Sequence, residues 1–280
     1  MQIERWAAFT TNPRGGNPAG VVLDAGGADE AAMQRVAREV GYSETAFVTG
    51  RRTDGARSVR YFTPLAEIPF CGHATLATAL AIATADGPGP IAFATSVGRV
   101  EIVTSRDDDR GLRASFTSVE PATRPLTDAM LADILGLIGL AEDDLDARFP
   151  PMQAYAGNWH PVIVVAGSGT FDRFGFDPAR ARAVLDAHGW PATITVLHRT
   201  DDEHWDARNL FPVGDITEDP ATGAAAAATG GYLRELGAVP ASGRVRIAQG
   251  HHVGRPSELV LDIPATGGIV VSGRGVPDPV

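Results

Sequence analysis

Glu67-Ile-Pro-Phe-Cys-Gly-His-Ala returns far downstream as Glu218-Asp-Pro-Ala-Thr-Gly-Ala-Ala. Both segments read Glu-x-Pro-x-x-Gly-x-Ala, and an uncharged run of small residues continues over 74–83 and 224–232. Proline suits the start of a helix, and glycine lets the backbone come close to a ligand. A helix that is apolar all round is buried on every side. The sequence therefore predicts two buried helices whose N-termini, with free amide groups and a favourable dipole, can bind an anion.

Two further echoes flank these helices and indicate an internal duplication. Gly16-Asn-Pro-Ala-Gly-Val-Val is echoed by Gly157-Asn-Trp-His-Pro-Val-Ile-Val-Val, and Arg60-Tyr-Phe-Thr-Pro by Arg208-Asn-Leu-Phe-Pro. The alternative is that glycines and prolines merely mark similar turns. Because the echoes keep the same order, we expect an α+β fold of two similar halves. In each half, strands wrap around a central buried helix, and the active site is expected in the cleft between the halves.

The expected domain bounds follow from this repeat. The N-terminal half is placed at 1–119, together with the last strand of the chain at 268–280, and the C-terminal half at 120–267. The segment Glu120-Pro-Ala-Thr-Arg-Pro125 is the linker candidate between the halves. The first buried helix is expected over 73–85. Apolar periodicity and end signals predict further helices over 28–40, 127–137 and 178–188.

Composition excludes several classes of protein. The net charge of −10 over 280 residues argues against a nucleic-acid partner, which calls for a basic face. There is no lysine, so conventional pyridoxal-phosphate catalysis through a Schiff base is excluded. Met1-Gln-Ile-Glu-Arg-Trp6 has no apolar signal core, and no segment is long and apolar enough to span a membrane. We expect a cytoplasmic protein without a membrane partner.

The sequence also predicts neither a metal nor a cofactor. The single cysteine means that neither an intramolecular disulfide nor a cysteine-based zinc site is expected. The histidines are scattered, and no His-Glu-x-x-His motif occurs. A phosphate loop and a Gly-x-Gly-x-x-Gly dinucleotide motif are also absent, so a bound nucleotide is not expected.

Four side chains at strand or helix ends are candidates for a catalytic role. Glu44 stands at the mouth of an apolar strand, where burial raises a carboxylate pKa toward the range of a general acid or base; a solvated strand-end glutamate is the plainer interpretation. His73 lies at the first helix mouth, which disfavours its protonation, although an isolated histidine is often structural. Asp219, at the second mouth, is either functional or a helix cap. A helix start lowers the pKa of Cys71, which is either a thiolate or a small packing residue.

The motifs resemble one known family over nearly the whole chain and in the family's order. They are Ala8-Phe-Thr, Gly16-Asn-Pro-Ala-Gly-Val-Val, Ser43-Glu-Thr-Ala-Phe-Val, Arg60-Tyr-Phe-Thr-Pro, Phe70-Cys-Gly-His-Ala-Thr, Glu218-Asp-Pro-Ala-Thr-Gly, and Gln249-Gly with Gly254-Arg-Pro-Ser257. Together they resemble the PhzF family of phenazine-biosynthesis-like isomerases. The resemblance implies a diaminopimelate-epimerase-like fold, a homodimer, and isomerisation without cofactor or metal. The family's founding activity is isomerisation of trans-2,3-dihydro-3-hydroxyanthranilate.

The resemblance also implies roles for individual residues. Glu44 matches the family's proton-transferring glutamate, and His73 and Asp219 match polar residues at the substrate. The substrate-binding positions that it implies are Ser43, Gly72, Gly223 and Ala224. Ala224 stands where the phenazine enzyme has a serine, so this chain lacks a hydroxyl there.

We therefore predict a cofactor-independent isomerase that moves a proton on a small cyclic or amino-acid-like carboxylate by general acid/base catalysis at Glu44. Thiol racemases of the same fold carry one cysteine at each helix mouth, whereas here the pair is Cys71 and Thr222. Two-thiol racemisation is thus disfavoured, and we interpret Cys71 as a packing residue. A cofactor-independent epimerase of an amino or hydroxy acid stays open, as does a non-catalytic PhzF-like binding protein.

Overall fold

Each half of the chain is built from strands around one buried helix. The computed structural model describes residues 1–107, 111–213 and 216–278. The chain divides into unit 1, Met1–Thr117 with Ser272–Val280, and unit 2, Ser118–Val271. Both units contain helices and a mixed sheet, so the protein is α+β.

Strands and helices follow one another along both units. The strands are β1 (Glu4–Ala8), β2 (Asn17–Val22), β3 (Glu44–Arg51), β4 (Arg57–Phe62), β5 (Glu67–Ile68), β6 (Pro90–Thr95), β7 (Gly98–Asp107), β8 (Gly111–Thr117), β9 (Ala122–Pro125), β10 (Met152–Tyr155), β11 (Trp159–Val165), β12 (Ile194–Arg199), β13 (His204–Val213), β14 (Ile216–Asp219), β15 (Arg244–Gln249), β16 (Ser257–Asp262) and β17 (Val270–Pro277). The helices are α1 (Glu30–Val40), α2 (Gly72–Asp86), α3 (Asp128–Ile138), α4 (Ser168–Arg173), α5 (Pro178–Ala187) and α6 (Gly223–Glu235). Within the described ranges, none of these helices combines the length and apolar character that crossing a membrane requires.

The sheet of unit 1 wraps around α2. Its strands pair in the order β17–β1–β2–β3–β4–β6–β7–β8, and β8 also pairs with β17, which closes the sheet. The pairs β2/β3 and β4/β6 are parallel. Parallel neighbours need a crossover connection, and the segments containing α1 and α2 supply these two crossovers.

Unit 2 repeats this topology. Its strands pair in the order β9–β10–β11–β12–β13–β15–β16, with parallel pairs at β11/β12 and β13/β15. The crossovers here contain α4 with α5, and then α6. Each of these seven strands has a counterpart at the same place in unit 1, which has β8 in addition. The expected α+β fold of two similar halves, each with strands around a central helix, is therefore confirmed.

The central helices lack a polar face because strands surround them. Every residue of α2 from His73 to Ala83 is buried, and the helix contacts β1, β2, β3, β7 and β8. The hydroxyl groups of Thr75 and Thr78 donate to the carbonyl oxygens of Cys71 and Ala74, each at 2.7 Å. These local bonds satisfy the hydroxyls, so threonine can be buried in this helix.

Two adjacent glycines let α6 pack closely inside unit 2. A Cβ atom built on Gly231 would lie 2.4 Å from Pro121 Cβ, and one on Gly230 would lie 2.8 Å from Ile269 Cγ2. Glycine is unfavourable inside a helix by about 1 kcal/mol relative to alanine. The close approach of these neighbouring segments accounts for glycine at both positions.

Amphipathic helices cover the outer face of each sheet. In unit 1, α1 packs Met33 and Val36 in a cluster with Val22 and Phe47. In unit 2, α3 and α5 pack against β11 and β12 in a cluster that includes Trp190. The N-terminal caps of the three helices are side chains that accept from backbone N–H groups: Asp29, Thr127 and Asp177.

The predicted helices are confirmed with small shifts of their ends, whereas the linker is wrong. The linker candidate contains β9, which pairs with β10 in the sheet of unit 2. A segment rich in proline can still form an edge or terminal strand, because only some of its backbone groups must join the ladder. The sequence also gave no signal for α4 or β14.

An arginine–glutamate pair precedes each central helix. In unit 1, Arg60 Nη2 lies 2.6 Å from Glu67 Oε2, and these side chains are 33% and 36% exposed. In unit 2, Arg208 Nη2 lies 2.5 Å from Glu218 Oε1, and the side chains are 7% and 8% exposed. Each arginine stands two residues before the strand position that faces its glutamate, Phe62 in β4 and Leu210 in β13. The repeated sequence echo is thus also a repeated ion pair.

Candidate active site

Glu44 is placed at the start of β3 inside unit 1. It lies beside Ala19 of the parallel strand β2. Only 12% of its side chain is exposed. Its Oε2 atom is fully buried, and within the described part of the chain no donor is aligned on it for a hydrogen bond. The interpretation of Glu44 as a solvated strand-end residue is therefore wrong.

The imidazole of His73 lies between Glu44 and Asn17. Its Nε2 atom is 3.2 Å from Glu44 Oε2, and its Nδ1 atom is 3.1 Å from the amide nitrogen of Asn17. Asn17 follows Gly16, whose φ of +71° favours glycine. A Cβ on Gly16 would also lie 2.4 Å from the carbonyl oxygen of Ala8. This tight turn delivers Asn17 to the buried face of β2, where it contacts the histidine.

Cys71 precedes α2 and faces the same histidine. Its Sγ atom lies 3.4 Å from His73 Nδ1 and 3.8 Å from His73 Nε2. The carbonyl oxygen of Cys71 accepts from both the N–H group and the hydroxyl of Thr75, at 3.0 and 2.7 Å. The Tyr61 hydroxyl, 2.6 Å from that of Thr75, extends this buried network. The backbone of Cys71 is thereby anchored to α2.

The pKa values of this cluster differ from those expected from the sequence. Burial raises the pKa of Glu44. The nearby His73 ring and hydrogen bonds with Ser43 and Cys71 together lower it by more than burial raises it, so the pKa of Glu44 lies below the usual 4.5. The expectation of a raised Glu44 pKa is wrong for the free protein. A charged neighbour at 3.2 Å outweighs the loss of hydration.

The expected charge states of His73 and Cys71 are also wrong. Burial lowers the pKa of His73, but negative charge on Cys71 or Glu44 raises it well above 6.5. Burial and the Glu44 charge raise the pKa of the Cys71 thiol. The contacts of His73 with Cys71 contribute more to the rise of the His73 pKa than its contacts with Glu44 do. The helix N-terminus does not determine the protonation of His73 or Cys71, because the contacts among Glu44, Cys71 and His73 are shorter and more strongly buried.

These three side chains offer a mixed set of metal ligands. The ligand atoms of Glu44, Cys71 and His73 all lie within 4.8 Å of one another. A carboxylate, a thiol and an imidazole are all donors that zinc accepts. Such a mixed set needs only one thiol, so a single cysteine does not exclude it.

In unit 2, Asp219 ends β14 and holds the turn before α6. Its Oδ2 atom accepts a hydrogen bond of 2.6 Å from the hydroxyl of Thr222. Thr222, and not Asp219, occupies the N-cap position of α6. The alternative interpretation of Asp219 as the helix cap is therefore wrong. Gln249 fixes the same turn, since its Nε2 donates to the carbonyl oxygen of Asp219 at 2.6 Å and to the Thr222 hydroxyl at 3.0 Å.

The first backbone amides of both central helices keep unused hydrogen-bonding capacity. In α2 the N–H groups of Gly72 and His73, and in α6 those of Gly223 and Ala224, have no acceptor in the part of the chain that the structure describes. Ala224 is half-buried and offers no hydroxyl. Both helix starts can thus donate to an anion, as predicted from their sequences.

Sequence reasoning missed Asn17 and Gln249 as site residues. Asn17 lies in the repeated Gly-Asn segment, and Gln249 lies in one of the family motifs. The motifs signalled that these positions matter, but an amide in a loop gives no indication of which histidine or turn it will contact.

The comparisons with known proteins identify the family. Residues 6–277 match the family model described as phenazine biosynthesis-like protein, PhzC-PhzF. The chain belongs to this family. It is 34% identical to an uncharacterized isomerase, YddE, of Salmonella typhimurium, over 98% of this chain and 95% of that relative. It is 29% identical to the trans-2,3-dihydro-3-hydroxyanthranilate isomerase of Pseudomonas aeruginosa, over 96% and 94% of the two chains. This PhzF-family protein is thus an isomerase.

Solved structures show the same fold. The PhzF-family protein of Bacillus anthracis superposes with a TM-score of 0.86 at 25% identity, covering 100% of this chain and 98% of the other. A hydroxyproline epimerase of Agrobacterium vitis, with bound trans-4-hydroxy-L-proline, gives a TM-score of 0.61 at 12% identity, with 98% and 90% covered. The second likeness concerns the fold alone. Together they confirm the predicted diaminopimelate-epimerase-like fold.

Proposed function

We propose that this protein is a cofactor-independent isomerase that moves a proton on a small cyclic or amino-acid-like carboxylate, with Glu44 as general acid/base. The observation that carries the proposal is the buried pair of Glu44 and His73, 3.2 Å apart. A buried carboxylate beside a cationic imidazole provides a proton acceptor and a group that stabilises negative charge. A binding protein without catalysis has no need to bury such a pair, since an unsatisfied buried carboxylate is unfavourable.

Substrate binding changes the basicity of Glu44 in this mechanism. In the free protein the contact with His73 lowers the Glu44 pKa, which makes it a weak base. When the substrate's polar group draws the His73 cation away, burial remains and raises that pKa. Glu44 then takes an acidic C–H proton and returns it to another carbon, while His73 holds the charge that develops on the substrate.

The substrate carboxylate is proposed to bind at the amide groups of Gly72 and His73. Those N–H groups have no acceptor in the described ranges, and they carry the positive end of the helix dipole. Ser43 precedes Glu44 in the chain, and its hydroxyl helps to orient the Glu44 carboxylate. The roles of Asp219, Gly223 and Ala224 at the substrate, and the homodimer, stay predictions from the family resemblance.

Trans-2,3-dihydro-3-hydroxyanthranilate, the substrate in the name of the Pseudomonas aeruginosa relative, is the first compound to test. Ala224 lacks the hydroxyl of the serine that the resemblance places there, so we expect weaker turnover of this compound than of the native substrate. An amino-acid epimerase is the second candidate, because Cys71 adds a proton-carrying group 3.4 Å from His73. Its raised thiol pKa makes Cys71 a poor base, which favours the isomerase.

The test is proton exchange in deuterium oxide, followed by NMR with this compound and a panel of small cyclic and amino-acid-like carboxylates. An isomerase shifts a double bond or a proton between carbons, whereas an epimerase introduces deuterium at the stereocentre with racemisation. Glu44→Gln keeps the side chain's shape but cannot take the proton, so turnover should fall by roughly two to four orders of magnitude. Glu39→Gln, an exposed substitution on α1, is the matched control and should leave turnover unchanged. Near-normal turnover in Glu44→Gln would sink the proposal.

A further inference from the structure

The Glu44–Cys71–His73 cluster combines three kinds of metal donor in one small buried volume. The ligand atoms lie within 4.8 Å of one another, and the Oε2 atom of Glu44 has no aligned donor in the ranges that the structure describes. Protein sites for zinc use thiolate, imidazole and carboxylate ligands, whereas magnesium and calcium prefer oxygen alone. The donor set therefore favours a thiophilic divalent cation.

The distance between the nitrogen and oxygen donors matches an edge of a zinc coordination tetrahedron. Bond lengths of about 2.3 Å to sulfur and about 2.0–2.1 Å to nitrogen and oxygen give donor separations of about 3.5 Å for S···N and about 3.3 Å for N···O. The observed separations are 3.8 Å between Cys71 Sγ and His73 Nε2, and 3.2 Å between His73 Nε2 and Glu44 Oε2. The nitrogen and the oxygen already stand at the separation that coordination requires. Cys71 Sγ lies closer to His73 Nδ1, at 3.4 Å, than to Nε2, so the Cys71 side chain must rotate about its Cα–Cβ bond to reach the Nε2 side of the ring.

Neighbouring groups contact the His73 ring and anchor the backbone of Cys71. The Nδ1 atom of His73 lies 3.1 Å from the amide nitrogen of Asn17, and a half-turn of that amide places its oxygen there to accept from Nδ1–H, which leaves Nε2 as the coordinating nitrogen. Thr75 fixes the Cys71 carbonyl with two hydrogen bonds. Metal-binding histidines usually have such a partner on the second ring nitrogen, because it fixes the orientation of the ring.

We propose that this cluster is an inhibitory site for Zn²⁺ and similar thiophilic divalent cations. Cys71 Sγ, His73 Nε2 and Glu44 Oε2 are the ligands, and the fourth position is left for water or an anion. As the S–Zn bond forms, the thiol proton leaves to solvent, and a proton on His73 Nε2 leaves in the same way; the metal keeps its oxidation state. The bound ion takes the Glu44 oxygen that would accept the substrate proton. Binding is independent of the proposed isomerisation, while inhibition rests on it.

Binding is tested without any substrate. The metal-free full-length chain, titrated with Co²⁺, should develop thiolate-to-cobalt charge-transfer absorption that saturates at one ion per chain, and Zn²⁺ should displace it. Mg²⁺ should give no displacement, since it is a poor match for sulfur. Cys71→Ser should lose the absorption and bind Zn²⁺ at least about tenfold more weakly in equilibrium dialysis.

The matched control is His204→Gln. It removes an exposed histidine–carboxylate pair, His204 Nδ1 and Asp201 Oδ1 at 2.9 Å, and should leave binding unchanged. Absence of the cobalt absorption in the wild type, or equal Zn²⁺ affinity in Cys71→Ser and wild type, would overturn the proposed site. Far-ultraviolet circular dichroism of both variants shows whether the fold is kept, and a Cys71→Ala variant replaces the serine if it is not.

Inhibition is tested with a substrate from the deuterium-exchange panel. Turnover of the wild type should fall in proportion to zinc occupancy and recover when EDTA is added. Full turnover at full occupancy would overturn the inhibitory role and leave the site itself intact. If Glu44→Gln stays active, the proposed function fails, and the cobalt titration still decides whether the metal site exists.

Discussion

Replacing Glu218 by glutamine should destabilise unit 2 far more than replacing Glu67 by glutamine destabilises unit 1. The two glutamates occupy equivalent positions in the duplicated fold, and each pairs with an arginine. Their surroundings differ. The Arg208 guanidinium also donates to the carbonyl oxygens of Phe171 and Phe174, and it lies 3.6 Å from the centroid of the Phe174 ring. Arg60 is one-third exposed and also pairs with Glu30 at 3.0 Å, so it keeps a carboxylate partner when Glu67 is replaced.

The magnitudes follow from burial. Removing one partner of a buried ion pair costs about 3–5 kcal/mol, because the other charge is left without compensation. Glutamine still accepts one hydrogen bond from Arg208, so we expect about 3 kcal/mol for Glu218→Gln. An exposed pair contributes about 0.2–1 kcal/mol, which bounds the effect of Glu67→Gln. With an m-value of about 2 kcal/mol/M in urea, the midpoints should shift by about 1.5 M and less than about 0.5 M.

Urea unfolding measures the difference. Trp190 and Trp205 are buried in unit 2 and Trp6 is buried in unit 1, so tryptophan fluorescence follows the unfolding of both units. Hydrogen exchange of peptides from α2 and α6 gives the opening free energy of each unit separately. The burial argument is refuted if the two variants shift their own units equally. A loss below about 1 kcal/mol for Glu218→Gln would also contradict it, since that is the range of an exposed pair.

Two further predictions concern packing and pH. Gly231→Ala should lower the free energy of unfolding by about 1–3 kcal/mol because its Cβ would meet Pro121 at 2.4 Å, whereas Gly136→Ala, exposed in α3 with open space around it, should raise it by up to about 1 kcal/mol in the same urea experiment. The lowered pKa of Glu44 contributes stability above pH 4.5, and this stability is lost as the pH falls through the folded-state pKa. The raised pKa of His73 contributes stability below pH 6.5, and this stability is lost as the pH rises through the folded-state pKa. In the wild type, the free energy of unfolding of unit 1 should therefore rise with pH where Glu44 titrates and fall with pH where His73 titrates. Glu44→Gln should flatten both slopes. Unchanged slopes would contradict the pairing of Glu44 with His73.

The fold was predictable because its most unusual feature is local in sequence. An uncharged helix opened by Pro-x-x-Gly occurs twice, and a helix without a polar face has to be enclosed. The linker at 120–125 could not be identified correctly in this way. Its prolines mark a turn in the sequence, but only the partner strand β10 shows that the segment joins a sheet.

The composition of the candidate site was partly predictable, but its protonation was not. Glu44 and His73 were singled out individually, each from its own helix or strand end. Their pKa values depend on a contact of 3.2 Å between residues 29 positions apart, and on the desolvation of both. No spacing rule gives that distance. Considered alone, Glu44 predicts a raised carboxylate pKa and His73 predicts a neutral imidazole. The contact between the two side chains reverses both predictions.

Strand registers show what the second copy carries in place of this pair. Phe62 faces both Thr45 and Glu67, and Leu210 faces both Ile194 and Glu218, so the counterpart of Glu44 is Thr193. The counterparts of Cys71 and His73 at the start of α6 are Thr222 and Ala224.

The counterpart of Glu44 has become part of a neutral hydrogen-bonded core. The Thr193 hydroxyl donates to Asn209 Oδ1 at 3.0 Å and lies 3.0 Å from His160 Nδ1. Burial lowers the pKa of His160 to about 4, so the imidazole is uncharged at neutral pH. A two-base epimerase built by duplication would keep a proton carrier at both equivalent positions. Here only the copy in unit 1 keeps a carboxylate and a charged imidazole. This asymmetry supports a mechanism in which one carboxylate both removes and returns the proton, which is the chemistry of the proposed isomerase.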